Sequence, residues 1–138
     1  MDLLNMLVNK KIETIEHDAV LKTAAQRMRD HRIGSLIVTR GGRPVGIISE
    51  TDLARKAVAE GLNPEQAHIS SIMSSPIISI EITETPERAN DLMKEKGIRH
   101  LGITEEGRLT GIISVRDLLR YFKVYYDGIG TLKAKKQP

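Results

Sequence analysis

Two short stretches of this 138-residue chain carry residue types able to do chemistry together. They are Ser49-Glu50-Thr51-Asp52 and Ser114-Val115-Arg116-Asp117, preceded by Gly46-Ile47-Ile48 and Gly111-Ile112-Ile113. At both places an apolar strand gives way to a helix. A serine at a helix start accepts hydrogen bonds from free backbone N–H groups, and an aspartate in the first turn favours the positive helix end. The plainest reading is therefore helix capping. The same geometry also suits a nucleotide. A helix N-terminus offers N–H donors and a positive partial charge to a phosphate. The serine hydroxyl adds a donor, and a carboxylate can accept both hydroxyls of a ribose. Capping alone does not demand the same serine and aspartate in both places, so the duplication favours a ligand.

Other candidate chemistry is weaker. His17, His31 and His68 lack metal-ligand spacing, so no metal site is expected. The absence of cysteine excludes disulfides, thiolate metal sites and cysteine nucleophiles. His100 and Ser114 can approach each other in a fold, but nothing supplies an oxyanion hole or a group to orient the base. No catalytic residue is assigned and the chain is read as a non-enzyme. Gly128-Ile129-Gly130 does not follow a strand and is no dinucleotide fingerprint. Tyr121, Phe122, Tyr125 and Tyr126 crowd one helix, where core or dimer packing explains them better than base stacking. Net charge is +3, and Lys133, Lys135 and Lys136 alone supply an equal number, so the basicity belongs to the C-terminal stretch. No apolar run approaches the ~18 residues of a membrane span, and Met1 to Lys11 lack a signal-peptide layout. A cytoplasmic protein is the expectation.

The elements that must position the two motifs are themselves duplicated. Ile12–Arg55 lies over Ile77–Arg120 without a gap, with roughly 17 of about 44 positions identical. Each copy reads as strand, helix, strand, strand, helix. An extended start at Ile12–Ile15 leads to a helix from about Val20 to Asp30, with Leu21, Ala24, Ala25 and Met28 on one face and Asp18 or Ala19 ahead of its first turn. In the second copy Thr85-Pro86 is a good N-cap and N1 pair, Gly97 a good C′ residue, and Ala89, Leu92 and Met93 the buried face. Hairpins follow: Leu36–Thr39 with Val45–Ile48 around Gly41-Gly42, and Leu101–Thr104 with Leu109–Ile113 around Glu106-Gly107. Their strands are apolar nearly throughout, as in sheets covered on both faces. The first closing helix should end at Gly61. The second should run to about Tyr126 and stop at Asp127-Gly128 and Gly130. Asn63-Pro64-Glu65 looks like a further helix start. The expected organisation is a first repeat over 1–62, a connector over 63–75, a second repeat over 76–126 and a basic flexible tail over 127–138. One repeat has too few elements to bury its apolar faces. An α/β (α+β) fold of two β-α-β-β-α repeats about a pseudo-twofold axis is therefore expected.

The order of elements, the two Gly-Ile-Ile-Ser-x-x-Asp blocks and the connector Ile72-Met73-Ser74-Ser75-Pro76 resemble a tandem pair of cystathionine-β-synthase (CBS) repeats, also called a Bateman module. The resemblance runs from about Val8 to Phe122. It implies a regulatory module binding adenosine-containing ligands (AMP, ADP, ATP or S-adenosylmethionine) in two composite clefts, with no further cofactor required. One cleft would hold Ser114 and Asp117 with Thr14, Ile15 and Ile33. The other would hold Ser49 and Asp52 with Ser79, Ile80 and Ile98. Arg99 and His100 resemble a basic pair that faces phosphates, and Gly34 and Ser35 take the matching place in the first repeat. Arg116 lies within the second motif, so the site served by Asp117 should bind a charged nucleotide more tightly. The family pattern has proline where this chain has Ile37 and Gly102, and an acidic residue where it has Arg40. A homodimer packed through Leu53–Ala57 and Leu118–Phe122 is implied, together with a regulated protein partner whose identity the resemblance does not supply. The alternatives are a nucleic-acid-associated protein using the basic tail and a ligand-free dimerisation adaptor. No membrane partner is expected.

Overall fold

The computed structural model describes the backbone from Leu3 to Lys136 and the side chains as far as Tyr125. The chain divides into two compact units, Lys11–Ile78 and Met1–Lys10 with Ser79–Pro138. Each is taken by itself. In order the elements are α1 (Leu3–Leu7), β1 (Thr14–Glu16), α2 (Leu21–His31), β2 (Ser35–Arg40), β3 (Arg43–Ser49), α3 (Glu50–Asp52), β4 (Ser79–Glu81), α4 (Pro86–Lys96), β5 (His100–Glu105), β6 (Arg108–Ser114) and α5 (Val115–Lys136). Helix α3 runs straight into a π-helical stretch, Leu53–Val58, and a 3-10 turn covers Ile69–Ser71.

The two units repeat one plan. Strand β1 pairs parallel with β2, which pairs antiparallel with β3; β4, β5 and β6 do the same. The apolar runs that marked the hairpins become sheet interiors, with Leu36, Ile37, Val38, Leu101 and Ile103 fully buried. Gly41 and Gly42 turn the first hairpin with φ of 57° and 80°. Glu106 and Gly107 turn the second at 53° and 80°, the doubly positive geometry of a tight hairpin.

Helix α4 ends as its sequence predicts. Thr85 Oγ1 accepts from Arg88 N at 3.1 Å, Pro86 occupies the first turn, and Gly97 closes the helix at φ 66°. Its buried residues are Pro86, Ala89 and Met93; Leu92 is half-buried. Helix α2 differs from expectation. Leu21, Ala24 and Met28 are buried, but Ala25 is exposed. The residue at the cap position is Val20, which makes no side-chain cap. The free donors are met from the connector instead: Leu21 N donates to Ala67 O at 3.0 Å and Lys22 N to Pro64 O at 2.9 Å. Asn63-Pro64-Glu65 starts no helix. Asn63 Oδ1 accepts from Glu65 N at 2.9 Å, which closes a single turn whose carbonyls serve α2.

Two further features concern the termini. The first repeat is expected from residue 1, and in the structure the compact unit of the second repeat also takes in the residues before Lys11. Helix α1 buries Leu4 and packs on α5, and Asn9 bridges to Ile112 with both backbone bonds, at 2.9 and 3.0 Å. Helix α5 does not stop at Asp127-Gly128 or Gly130. It continues to Lys136, so the stretch expected as a flexible tail is helical as far as its described backbone extends. An interior glycine disfavours a helix by only about 1 kcal/mol against alanine, too little to force an end.

Candidate functional site

The Gly-Ile-Ile block acquires its structural meaning first. In the first repeat Ser74 from the connector bridges to Ile47, with both backbone bonds at 2.9 Å. A Cβ on Gly46 would lie 2.7 Å from Ser74 O and 2.9 Å from Met73 Sδ. In the second repeat Asn9 plays the part of Ser74, and a Cβ on Gly111 would lie 2.9 Å from Asn9 O and against the Val8 side chain. The repeated glycine is thus the place where a passing backbone adds to the edge of each sheet. It fixes β3 and β6 just before the serine.

At the end of β3, Ser49 Oγ accepts from Asp52 N at 3.2 Å while Asp52 Oδ2 accepts from Ser49 N at 3.0 Å. This reciprocal pair is a capping box with aspartate in the acidic position. At the end of β6 the same exchange recurs: Asp117 N to Ser114 Oγ at 3.2 Å and Ser114 N to Asp117 Oδ2 at 2.8 Å. There Ser114 Oγ also donates to Asp117 Oδ2, at 2.9 Å. The capping reading is therefore correct as geometry, and it fixes both carboxylates rigidly.

The strand before each motif brings its own residues alongside. Ser35 is the register partner of Ser49, and His100 that of Ser114. Gly34 O accepts from Glu50 N at 3.0 Å, and Arg99 O accepts from Val115 N at 2.8 Å. Arg99 therefore sits at the first turn of α5, with Ile98 half-buried before it. Arg99 and Arg116 are exposed, and neither guanidinium has a carboxylate partner among the described residues. In the first repeat the matching positions are Ile33, Gly34 and Thr51, which carry no charge. Of the residues expected along the first strands, Thr14 and Ser79 are exposed, whereas Ile15 and Ile80 are buried, at 2% and 8% exposure. Ile15 belongs to the core cluster with Leu21, Leu36 and Ile48, so its side chain is a packing residue of its own unit.

Sequence reasoning passed over three features. Lys56 stands four residues after Asp52 and forms an ion pair with it at 3.0 Å; that spacing was the available signal. Glu16 and Glu81 recur because each accepts from a recurring threonine, Thr39 Oγ1 at 2.8 Å and Thr104 Oγ1 at 2.6 Å. The Thr104 hydroxyl, with the Glu106 N–H, holds the Glu81 carboxyl below its ordinary range. Glu16, His17 and Asp18 bring their potential ligand atoms within 4.8 Å of one another, a grouping that adjacent sequence positions did not advertise. Among the described residues no helix is long and apolar enough to cross a membrane.

With this geometry in place, the relationships to known proteins are decisive. The CBS domain profile matches residues 4–59 and again 69–124. The chain belongs to the CBS-domain family. It carries two tandem CBS repeats in a mixed α+β fold, the organisation of a regulatory module. An uncharacterized protein of Methanopyrus kandleri is 43% identical over 98 residues, which is 70% of this chain and 50% of that protein. This chain thus spans about half the length of that relative. The structure of an uncharacterized conserved protein from Pyrococcus horikoshii superimposes with a TM-score of 0.79 at 27% identity, covering 86% of this chain and 89% of that one. A hexameric CBS-CP12 protein from bloom-forming cyanobacteria superimposes at 0.76 with 28% identity, covering 83% of this chain and 68% of that one.

Proposed function

We propose that this CBS pair is a non-catalytic sensor that binds an adenosine-containing ligand, an adenine nucleotide or S-adenosylmethionine, and needs no other cofactor. One observation carries the reading. The same serine-capped, aspartate-closed helix start occurs in both repeats, and in the second it is flanked by Arg99 and Arg116, which have no carboxylate partner among the described residues. The positive end of α5, with the exposed Arg99 and Arg116, suits a phosphate or another anionic group. Asp117 Oδ2 takes all of that carboxylate's hydrogen bonds among the described residues, which leaves Oδ1 to accept from a ribose diol. Output then passes by ligand-dependent conformation or assembly. Exposed Val58, Leu119, Val124 and Tyr125 supply apolar contact area for a homodimer or larger assembly, in keeping with the hexameric relative.

Equilibrium dialysis of labelled AMP, ATP and S-adenosylmethionine against the full chain tests this. Retention of at least one, with guanosine analogues excluded and binding lost in the Ser114→Ala plus Asp117→Ala variant, is the expected result. No retention by protein shown to be free of copurified nucleotide would reduce the serines and aspartates to helix caps.

A further inference from the structure

The two copies of the motif differ in what touches the aspartate. In the first repeat Lys56 Nζ lies 3.0 Å from Asp52 Oδ1 and donates to the carbonyl of Ile72 at 3.1 Å. Asp52 Oδ2 already accepts from Ser49 N. Both carboxylate oxygens are therefore engaged, on a residue only 7% exposed. The ammonium is held twice, by the ion pair and by a connector carbonyl. The repeat offset places Tyr121 at the matching position of the second repeat. Its ring packs against Phe122 and Tyr125, with centroids 5.2 and 6.0 Å away. Asp117 Oδ1 has no partner among the described residues.

The helix around Lys56 differs as well. From Leu53 to Val58 the backbone bonds reach five residues back instead of four, with Ala59 N donating to Ala54 O at 3.1 Å. Helix α5 keeps regular α geometry at the equivalent place. A π-helical turn is rare and tends to accompany functional sites. Here it begins one residue after Asp52 and contains Lys56.

We infer that Lys56 is an internal occupant of the first repeat's aspartate, which makes the chain a one-site receptor. The inference rests on the nucleotide reading above and deepens it. A carboxylate oxygen that no other donor holds offers both of its lone pairs to a diol. Asp117 presents one. Asp52 presents one only when Lys56 withdraws, which strips a buried carboxylate of its counter-ion. The duplicated motif is then chemically unequal although its capping geometry is the same.

Calorimetric titration of the full chain with AMP, ATP and S-adenosylmethionine, each alone, counts the sites. Wild type should bind one molecule per chain. Lys56→Gln and Lys56→Met, each checked for folding by its thermal transition, should bind two. The reciprocal Tyr121→Lys variant should lose at least tenfold in affinity at the original site. Two equivalent sites in wild type would overturn the inference and leave the nucleotide reading intact. So would one site retained, or binding lost, in the folded Lys56 variants; a loss would make Lys56 a ligand contact. If the Lys56 variants fail to fold, the wild-type count and Tyr121→Lys decide. No binding of any of the three compounds to any of these proteins would overturn both.

Discussion

Replacing Gly46 by alanine puts one methyl group where a backbone passes. The new carbon would lie 2.7 Å from the Ser74 carbonyl oxygen, well inside van der Waals contact, and 2.9 Å from Met73 Sδ. The methionine sulfur can swing aside on a flexible side chain. The carbonyl cannot, because the Ser74 and Ile47 backbones exchange two hydrogen bonds of 2.9 Å. The connector must retreat by several tenths of an ångström and weaken that pair. Overpacking of this kind destabilises by about 1–3 kcal/mol. At roughly 4 °C per kcal/mol for a chain of this size, the melting temperature should fall by about 4–12 °C. Differential scanning calorimetry of wild type and Gly46→Ala at one pH reads this directly, and Gly111→Ala should behave alike because Asn9 O lies 2.9 Å from its Cβ position. If both variants melt within a degree of wild type, the bridging strands do not hold the sheet edges, and the account of why both motifs begin with glycine is wrong.

Other consequences follow from single contacts. Ser114→Ala removes a cap acceptor from α5 and a donor to Asp117, so urea unfolding should show a loss of about 1 kcal/mol; unchanged stability would mean that the capping box is unimportant. Arg32 closes α2 in the left-handed region at φ 54°, where the second repeat has Gly97. Arg32→Gly should therefore raise stability by about 0.5–1 kcal/mol, net of the greater freedom of glycine in the unfolded chain; a lower melting temperature would show that the arginine side chain does more than tolerate its backbone. The depressed Glu81 carboxyl stabilises the fold above the ordinary carboxylate range and loses that contribution as pH falls through its folded value. The gap in melting temperature between wild type and Glu81→Gln should accordingly be widest near neutral pH and close in acid. A constant gap would place the effect in packing.

The fold was legible in the sequence wherever the cause is local. Apolar runs flanking Gly41-Gly42 and Glu106-Gly107 specify hairpins, and Thr85-Pro86 with Gly97 bounds α4, because each needs only its own neighbours. The start of α2 was legible to within a residue, but its capping was not, since Val20 offers no side-chain cap and the helix's free donors are met by Pro64 and Ala67, some forty residues on. Helix α1 escaped notice because Leu4 is its one buried anchor. The length of α5 was misread because glycine at 128 and 130 weakens a helix without ending it. At the site, the duplication identified Ser49, Asp52, Ser114 and Asp117, and the structure brings each serine to its own aspartate. The difference between the repeats lay partly in plain view, as Arg99 and Arg116. Its other half, Lys56, looks in sequence like an ordinary solvated helix pair. Only the Ile72 carbonyl, delivered by the connector, makes it a fixed occupant.

The most direct test of the central claim is the melting temperature of the pure chain against a panel of adenine nucleotides, guanine nucleotides and S-adenosylmethionine. A ligand that binds only the folded state adds about 2.7 kcal/mol at a hundredfold excess over its dissociation constant, a shift of several degrees. The account predicts a rise confined to adenosine compounds and absent in the Asp52→Ala plus Asp117→Ala variant. A rise with guanine nucleotides as well, or one that survives in the double variant, would contradict it, as would no rise with any compound.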